Sequence, residues 1–378
     1  MKTKRTRLEK TAARVALMLA LLLACAATGR ADAVDDYVQM QMKQQHIPGL
    51  SLAVLRDGKV VKAKGYGLAN VASNESATPE TVYRIGSISK QFIASAIMLL
   101  NRDRRLNIED SITKYLDGAP AFWNPITIRH LLTHTSGLIR EAPAFDALKL
   151  QPDADVIRSA YSAPLVFSPG ASWQYSNVGY YILAEIVRKT TRGPWGDFIT
   201  ERIFRPAGMR ETTVTTTSDA IKNRASGYAW SVDKWSEAPP ITTLRPSGAF
   251  LSTVLDLAKW DAALYKDGIL SQAIRDQMWQ SVKLANGRTY PYGFGWQIGT
   301  VAGEKVVSHG GAGWGFISEI YRFLDSKLTV IVLTNIDRAD ASLISRHIAE
   351  LYRLDTAPTP PANLRTKGVV TLSPPQSL

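Results

Sequence analysis

The 378-residue sequence predicts an α+β fold, in which one antiparallel sheet is flanked by helices and a mainly helical lobe is inserted into the chain. Strand-like stretches with hairpin turns lie near both ends, whereas the middle has helix-like segments separated by long loops that contain Gly, Pro and Trp. An apolar sheet face must be covered by another layer, which the terminal helices can supply. We therefore assign residues 34–100 and 246–355 to a sheet lobe and residues 101–245 to a helical lobe.

The first hairpin follows an amphipathic helix predicted over residues 34–45. Strands predicted at residues 50–55 and 59–64 flank Asp57-Gly58, a dipeptide that favours a two-residue hairpin turn. These two strands form one part of the predicted sheet.

The second hairpin lies near the C-terminus. Residues 316–323 and 328–334 are strand-like and are joined around Asp325-Ser326, and residues 336–353 are predicted to form a closing helix. In the middle of the chain, the helical stretches include residues 128–132 and 180–190. A cleft between the two lobes is the natural place for a ligand site.

Residues 1–33 have the pattern of a secretory signal peptide, with a basic start, an apolar run at residues 15–27 and a cleavage site at Ala31-Asp32-Ala33. We expect cleavage near Ala33 and a periplasmic or secreted bacterial protein. An uncleaved membrane anchor and lipidation at Cys25 are the alternatives. Cys25 is the only cysteine, so cleavage would leave no disulfide and no thiol nucleophile.

Charge and composition narrow the range of partners. The formal net charge is +12, and residues 1–33 carry seven basic and two acidic residues, so the remaining +7 is spread along the rest of the chain. This distribution lacks the clustered stripe of nucleic-acid-binding proteins. We expect a small peptide or ester substrate, with peptidoglycan among the candidates, and membrane contact only through an uncleaved or lipidated N-terminus. Residues 356–378, rich in Pro and polar residues, are predicted to be disordered.

A Ser-x-x-Lys spacing occurs three times, at Ser87 and Lys90, Ser111 and Lys114, and Ser231 and Lys234. The second copy is flanked by acidic residues and predicts a solvated turn or helix on the surface. The third copy lies in a polar stretch that predicts a loop or hairpin tip. Only the first copy leads into a long apolar run, at residues 92–100, which is typical of a buried helix.

The surroundings of the first copy suggest an activated nucleophile. Gly86 permits a tight turn into the helix, and Ser87 would lie at the positive end of the helix dipole. Burial and the same dipole both lower the pKa expected for Lys90, and a deprotonated lysine can take the serine proton. The alternative is a serine that caps the helix, followed by a lysine whose ammonium reaches solvent.

Two further stretches favour the nucleophile. In an extended segment Tyr175 and Asn177 face the same way, because alternate side chains share one face. His309, Gly310, Gly311 and Ala312 follow a strand-like run, and successive glycines allow a ligand to lie against a strand edge.

The three motifs Ser87-x-x-Lys90, Tyr175-x-Asn177 and His309-x-Gly311, in this order and at these separations, resemble those of the penicillin-recognising serine hydrolases. The matching branch contains class C β-lactamases, D-alanyl-D-alanine carboxypeptidases, D-aminopeptidases and related esterases. Supporting phrases are Gly65-Tyr66-Gly67, the stretch IRHLLTHTSGL at residues 128–138, and Pro246-Ser247-Gly248. The resemblance covers about residues 37–352.

The resemblance implies a β-lactamase/DD-peptidase-like fold over residues 34–355 and a mechanism through an acyl-enzyme. Ser87 would attack a carbonyl, while Lys90 and Tyr175 would share general-base and general-acid work. Asn177 would orient Lys90 and bind the substrate amide. The backbone N–H groups of Ser87 and Ala312 would form the oxyanion hole, with His309, Gly310 and Gly311 also binding substrate.

The third motif departs from the pattern Lys-Thr-Gly that β-lactamases of this family usually have. A histidine is mostly neutral at pH 7 and glycine has no hydroxyl, so His309 and Gly310 weaken the clamp for a β-lactam carboxylate. We therefore expect hydrolysis of D-amino-acid peptides. The alternatives are a carboxylesterase or weak β-lactamase on the same site and, from another class, a catalytically slow penicillin-binding or sensing protein.

No metal or cofactor is expected. His130 and His134 have an i, i+4 spacing, but Leu131 replaces the glutamate of a zinc-binding helix and no third ligand is evident. We interpret both histidines as packing and hydrogen-bonding residues of the helical lobe. The sequence also lacks a G-x-S-x-G elbow, which argues against an α/β-hydrolase triad.

Overall fold

The computed structural model describes residues 33–214, 221–239, 246–248 and 250–354. Residues 1–32 of the predicted signal peptide, including Cys25, and the predicted disordered tail at residues 356–378 lie outside these ranges. Over the described ranges, every helix is too short or too polar to span a bilayer.

The strands are given in chain order. They are β1 (Gly49–Arg56), β2 (Lys59–Asn70), β3 (Glu75–Ser76), β4 (Tyr83–Arg84), β5 (Thr213–Val214), β6 (Tyr228–Ser231), β7 (Lys234–Glu237), β8 (Phe250–Ser252), β9 (Val282–Lys283), β10 (Thr289–Tyr290), β11 (Gln297–Val301), β12 (Glu304–Gly313), β13 (Phe316–Phe323) and β14 (Leu328–Thr334). Seven of them form the main sheet, in the order β11-β12-β13-β14-β1-β2-β3, and every pair in it is antiparallel.

Both predicted hairpins are confirmed. Asp57 and Gly58 have φ values of 51° and 70°, which is the left-handed backbone that a two-residue turn between twisted strands requires. The second hairpin joins β13 to β14 with the predicted bounds. The two ends of the chain meet where β1 pairs with β14, Leu50 opposite Thr334, so the predicted single antiparallel sheet from both ends is also confirmed.

Helices are likewise given in chain order. They are α1 (33–44), α2 (Ser89–Arg102), α3 (Ile128–Leu132), α4 (Asp153–Ser159), α5 (Asn177–Thr191), α6 (Trp195–Ile199), α7 (Arg205–Ala207), α8 (Val254–Ala263), α9 (Gln272–Met278) and α10 (Ala341–Leu354). Three 3-10 turns (Gly86–Ile88, Ile112–Tyr115 and Ala121–Trp123) and a π-helical turn (Thr200–Phe204) complete the helical structure of the described part.

The main sheet separates two apolar layers. One face packs against α1 and α10, through residues such as Val38, Leu52 and Ile348. The other face packs against α8 and a larger core that contains α2 and α5. The strands β1, β12, β13 and β14 therefore send alternate side chains into different layers, as strand geometry requires.

The closing helix begins later than predicted. The sequence suggested a start at residue 336, whereas α10 begins at Ala341. Asp340 determines the start, because its carboxylate accepts a hydrogen bond from the backbone N–H of Leu343 at 2.7 Å. A carboxylate that caps an exposed N–H group in the first turn is a strong start signal.

Candidate active site

Ser87 lies in a 3-10 turn that leads into α2, rather than in the α-helix itself. Gly86, with φ of 50°, opens this turn, and a Cβ added at Gly86 would lie 2.8 Å from the backbone nitrogen of Ala312. Glycine at this position therefore permits both the turn and the close approach of β12. The α-helix begins at Ser89, two residues after Ser87.

Lys90 is fully buried and its ammonium nitrogen lies beneath the partly exposed Ser87. Lys90 Nζ is 3.1 Å from Ser87 Oγ and donates a hydrogen bond to the carbonyl of Ser247 at 2.8 Å. An amine that donates one proton to Ser247 still has a lone pair, which can accept the hydroxyl proton of Ser87. This is the geometry of a nucleophile paired with its base.

The other two Ser-x-x-Lys copies have structural roles. Ser111 caps a 3-10 turn by accepting a hydrogen bond from Thr113 N, and Lys114 forms an exposed ion pair with Asp110 at 2.9 Å. Ser231 pairs with Lys234 at the tip of the β6–β7 hairpin. The surface turn and the hairpin tip that the sequence predicted are both confirmed.

The second motif lies at the start of α5. Ser176 is extended and caps the helix, so Tyr175 precedes the helix and Asn177 is its first residue. The helix thus starts before the predicted residue 180. The Tyr175 ring faces Lys90, with Nζ 4.7 Å from the ring centroid, whereas Asn177 Nδ2 donates to Glu141 Oε1 at 2.5 Å.

The third motif puts a buried, neutral histidine behind Tyr175. His309 Nδ1 donates to the carbonyl of Gly310 at 2.6 Å, so Nε2 accepts a hydrogen bond from the Tyr292 hydroxyl at 2.9 Å. Burial, helped by the nearby Lys90, lowers the pKa of His309 to about 3. His309 therefore carries no charge at neutral pH.

The glycines of this motif lie on opposite faces of β12. A Cβ on Gly311 would lie 2.0 Å from the carbonyl oxygen of Ile85, on the face that carries His309. A Cβ on Gly310 would instead lie 3.0 Å from Glu319 Oε2, on the face that α10 covers. A side chain at position 310 would therefore point away from Ser87, toward Glu319.

A cavity of about 320 Å³ is lined by residues of the first two motifs and by Ala312, which follows the third motif. It is lined by Arg84, Gly86, Ser87, Arg140, Glu141, Phe145, Ala147, Tyr175, Asn177, Ser247, Gly248, Ala312, Gly313, Trp314 and Asp337. Four of the predicted site residues are among them: Ser87, Tyr175, Asn177 and Ala312. The other four, Lys90, His309, Gly310 and Gly311, do not line the cavity, and Lys90 and His309 are buried. The substrate contacts predicted for positions 309–311 therefore stay predictions.

The sequence reasoning did not find the charged side chains of the cavity, or Tyr292. Arg140 and Glu141 lie just beyond the phrase HTSGL at residues 134–138, separated from it by Ile139, and this position was the one available signal. Arg140 is exposed, with its guanidinium carbon 5.4 Å from the centroid of the Tyr175 ring. Arg84 is buried and Asp337 is exposed.

His130 and His134 pack and form hydrogen bonds, as the sequence suggested. His130 accepts from the backbone of Thr127 and caps α3, which ends before His134. His134 Nδ1 accepts from Ser176 N at 3.1 Å and so supports the second motif. Burial lowers the pKa of both histidines. In the described ranges, no group of three His, Cys, Asp or Glu side chains is arranged to hold a metal ion.

Comparisons with known proteins agree with this architecture. The Beta-lactamase family model matches residues 34–353. Penicillin-binding protein 4* of Bacillus subtilis (strain 168) is 32% identical over 299 residues, which are 74% of this chain and 66% of that protein, so the chain spans slightly less than two thirds of its relative's length.

Two solved structures show the same fold. The octameric penicillin-binding protein homologue from Pyrococcus abyssi has a TM-score of 0.77 and 30% identity, over 86% of this chain and 77% of its own. A D-stereospecific amidohydrolase from Streptomyces sp. has a TM-score of 0.68 and 25% identity, over 84% and 98%. With the family model covering most of the chain, and with Ser87 and Tyr175 lining one cavity and Lys90 buried beside Ser87, the chain belongs to the Beta-lactamase family of serine hydrolases.

Proposed function

We propose that the protein is an exported serine hydrolase that forms an acyl-enzyme on Ser87 and acts on D-amino-acid peptides. The observation that carries this proposal is the 3.1 Å separation of Lys90 Nζ and Ser87 Oγ at the cavity wall. A buried lysine with a carbonyl partner and a serine hydroxyl is suited to proton transfer. Export rests on the pattern of residues 1–33.

The proposed reaction has two halves. In the first, Ser87 Oγ bonds to the substrate carbonyl carbon and gives its proton to Lys90, and the C–N bond breaks as the leaving amine takes up a proton through Tyr175. In the second, water attacks the acyl-enzyme and Ser87 regains its proton. The N–H groups of Ser87 and Ala312 would stabilise the oxyanion, which the close packing of Gly86 against Ala312 supports.

The proposed preference for D-amino-acid peptides rests on relatives and on charge. The names of the similar proteins include penicillin-binding proteins and a D-stereospecific amidohydrolase. The neutral His309 supplies no fixed positive charge for a β-lactam carboxylate. That same observation favours a second candidate, hydrolysis of neutral carboxylic esters.

Intact-mass spectrometry can test the acyl-enzyme. We expect a fluorophosphonate and a penicillin each to add one adduct to the wild-type protein and none to Ser87→Ala. Labelling by neither reagent would contradict the proposal. Adducts that form with no turnover of any ester or D-peptide would instead favour a slow penicillin-binding or sensing protein.

A further inference from the structure

A tryptophan occupies the turn between β12 and β13, at the edge of the cavity. Trp314 and Gly315 form this two-residue turn, with Gly313 paired opposite Phe316 and with φ values of 32° and 82°. Asn and Gly adopt such positive φ values readily, whereas a bulky side chain makes the backbone strained there. Trp314 therefore does not favour the turn itself, and strained residues of this kind cluster at ligand sites.

The side chain of Trp314 is open to solvent where it meets the cavity. Trp314 lines the same cavity as Ser87 and is 46% exposed, whereas the other apolar lining residues, Ala147 and Phe145, are buried and half-buried. In the described part of the chain, its indole ring has no aromatic or cationic partner. A large apolar surface that is open to a ligand cavity is suited to cover an apolar group of the ligand.

The position of Trp314 relative to β12 indicates which part of a substrate it would meet. Tyr175, the proposed proton donor to the leaving group, lies beside His309, with the two ring centroids 6.4 Å apart. Ala312, whose N–H group is assigned to the oxyanion, follows His309 along the strand, and Trp314 lies two residues beyond Ala312, roughly 7 Å at the rise of a strand. A substrate with its leaving group toward Tyr175 therefore directs its acyl group toward Trp314.

We propose that Trp314 selects substrates by stacking on an apolar, and best an aromatic, group in the acyl part. This inference rests on the proposed function, because it requires an acyl group on Ser87 and a leaving group near Tyr175. A ring placed on the indole gains both from the burial of apolar area and from the stacking of the two rings. Acyl donors with an aryl group near the scissile carbonyl are therefore the preferred substrate class.

Two active esters with the same leaving group test this preference. We would measure kcat/KM for p-nitrophenyl acetate and p-nitrophenyl phenylacetate, each divided by that ester's rate constant for hydrolysis by hydroxide, so that intrinsic reactivity cancels. The wild type should prefer the phenylacetate about tenfold, the scale expected for one stacked aromatic pair. Trp314→Ala should remove most of that preference by slowing the phenylacetate, whereas Trp314→Phe should keep most of it.

Trp235→Ala is the matched control, since Trp235 is also an exposed tryptophan on a hairpin, 38% exposed, and does not line the cavity. It should change the ratio of the two normalised kcat/KM values less than about twofold, as expected for a surface substitution away from the site. An equal loss of preference in Trp235→Ala would overturn the inference. A Trp314→Ala effect that is equal for both esters would also overturn it, because Trp314 would then act on the turn and Ala312 rather than on the acyl group.

Trp314→Asn separates a role in substrate binding from a structural one. Asn tolerates the positive φ of this turn position, so the variant should unfold at the same or a higher urea concentration than the wild type. The same variant should lose the preference for the phenylacetate. A clearly lower urea midpoint would show that the ring is held there for packing, and would overturn the inference.

Failure of this inference is distinguishable from failure of the proposed function. A wild-type enzyme that a fluorophosphonate labels at Ser87, but that shows no preference for the phenylacetate, overturns the role of Trp314 and leaves the acyl-enzyme standing. Absence of labelling at Ser87 removes both.

Discussion

The two faces of β12 each have a buried titratable side chain beside them, and the two side chains differ in their distance from the candidate site. On one face, His309 lies behind Tyr175, and burial lowers its pKa to about 3. On the other, Glu319 lies opposite Gly310 under α10, and burial raises its pKa to about 8. Both groups are mostly neutral at pH 7, but only His309 lies near Ser87 and Lys90. Burial alone therefore does not indicate a catalytic role, whereas the face of the strand does.

The comparison also revises the sequence interpretation of the third motif. A threonine hydroxyl at position 310 was expected to contact a substrate carboxylate. A side chain there would meet Glu319 instead, so the neutral His309 is what weakens the carboxylate clamp.

The largest effect is expected for the nucleophile. Ser87→Ala should lower kcat/KM for any accepted ester or peptide at least about 10⁴-fold, because Ser87 is the proposed site of the acyl-enzyme. Ser111→Ala and Ser231→Ala are matched controls from the other Ser-x-x-Lys copies and should retain activity. Inactivation by either control variant would show that the wrong motif was chosen.

The two glycines should respond very differently to the same substitution. Gly311→Ala forces a Cβ to 2.0 Å from Ile85 O and 2.3 Å from Ser318 Oγ, so the 3-10 turn and β12 must separate. We expect a loss of about 3 kcal/mol or more in the free energy of unfolding, measured by urea denaturation. Gly310→Ala meets only a carboxylate oxygen at 3.0 Å and should cost about 1 kcal/mol or less. Equal losses would contradict the assignment of the two faces.

Glu319 should make the protein less stable as pH rises. Its pKa is near 4.5 when unfolded and about 8 when folded, so the folded state holds the proton longer. That contribution to stability is complete below pH 4.5 and is lost toward pH 8, at up to about 1.4 kcal/mol for each pH unit. Glu319→Gln should lack this slope between pH 5 and 7 and keep its activity. If the stability of Glu319→Gln fell with pH as steeply as that of the wild type, the raised pKa of Glu319 would be contradicted.

His309 should act in the opposite direction, so that the protein becomes less stable as pH falls. Its pKa is lower when folded, about 3, than when unfolded, 6.5, so its contribution is present above pH 6.5 and is lost as pH falls. Between pH 6.5 and 5 the wild type should lose about 2 kcal/mol more than His309→Gln, on the scale of 1.4 kcal/mol per unit. Chemical denaturation at the two pH values measures the difference. If the wild type and His309→Gln lost the same free energy of unfolding between pH 6.5 and 5, His309 would already be charged in the folded state.

Local signals made much of the fold predictable. Asp57-Gly58 located the first hairpin, because its turn geometry depends on only two residues. The bounds of β13 and β14 were predictable because a strand-like run lies on each side of Asp325-Ser326. The predicted start of α10 was wrong by five residues, since residues 336–340 contain both Asp337 and Asp340 and the sequence does not reveal that Asp340 is the capping residue.

The site was predictable where residues lie close in the sequence. Ser87 and Lys90 are one helical turn apart, so their contact follows from local geometry. Glu141 and Asn177 are 36 residues apart and meet only through tertiary folding. Their spacing in the sequence therefore gives no signal that they are in contact. The face of β12 on which Gly310 lies could not be predicted either, because the alternation of side chains along a strand does not reveal which layer contains the site.

The rate at which a fluorophosphonate labels Ser87 tests most directly whether Lys90 activates that serine. Arginine keeps a positive charge but cannot accept the serine proton. In Lys90→Arg the second-order rate constant should fall about 10²–10⁴-fold, the usual contribution of a general base. A labelling rate close to that of the wild type would show that Lys90 acts through its charge alone, and would contradict the account of this site.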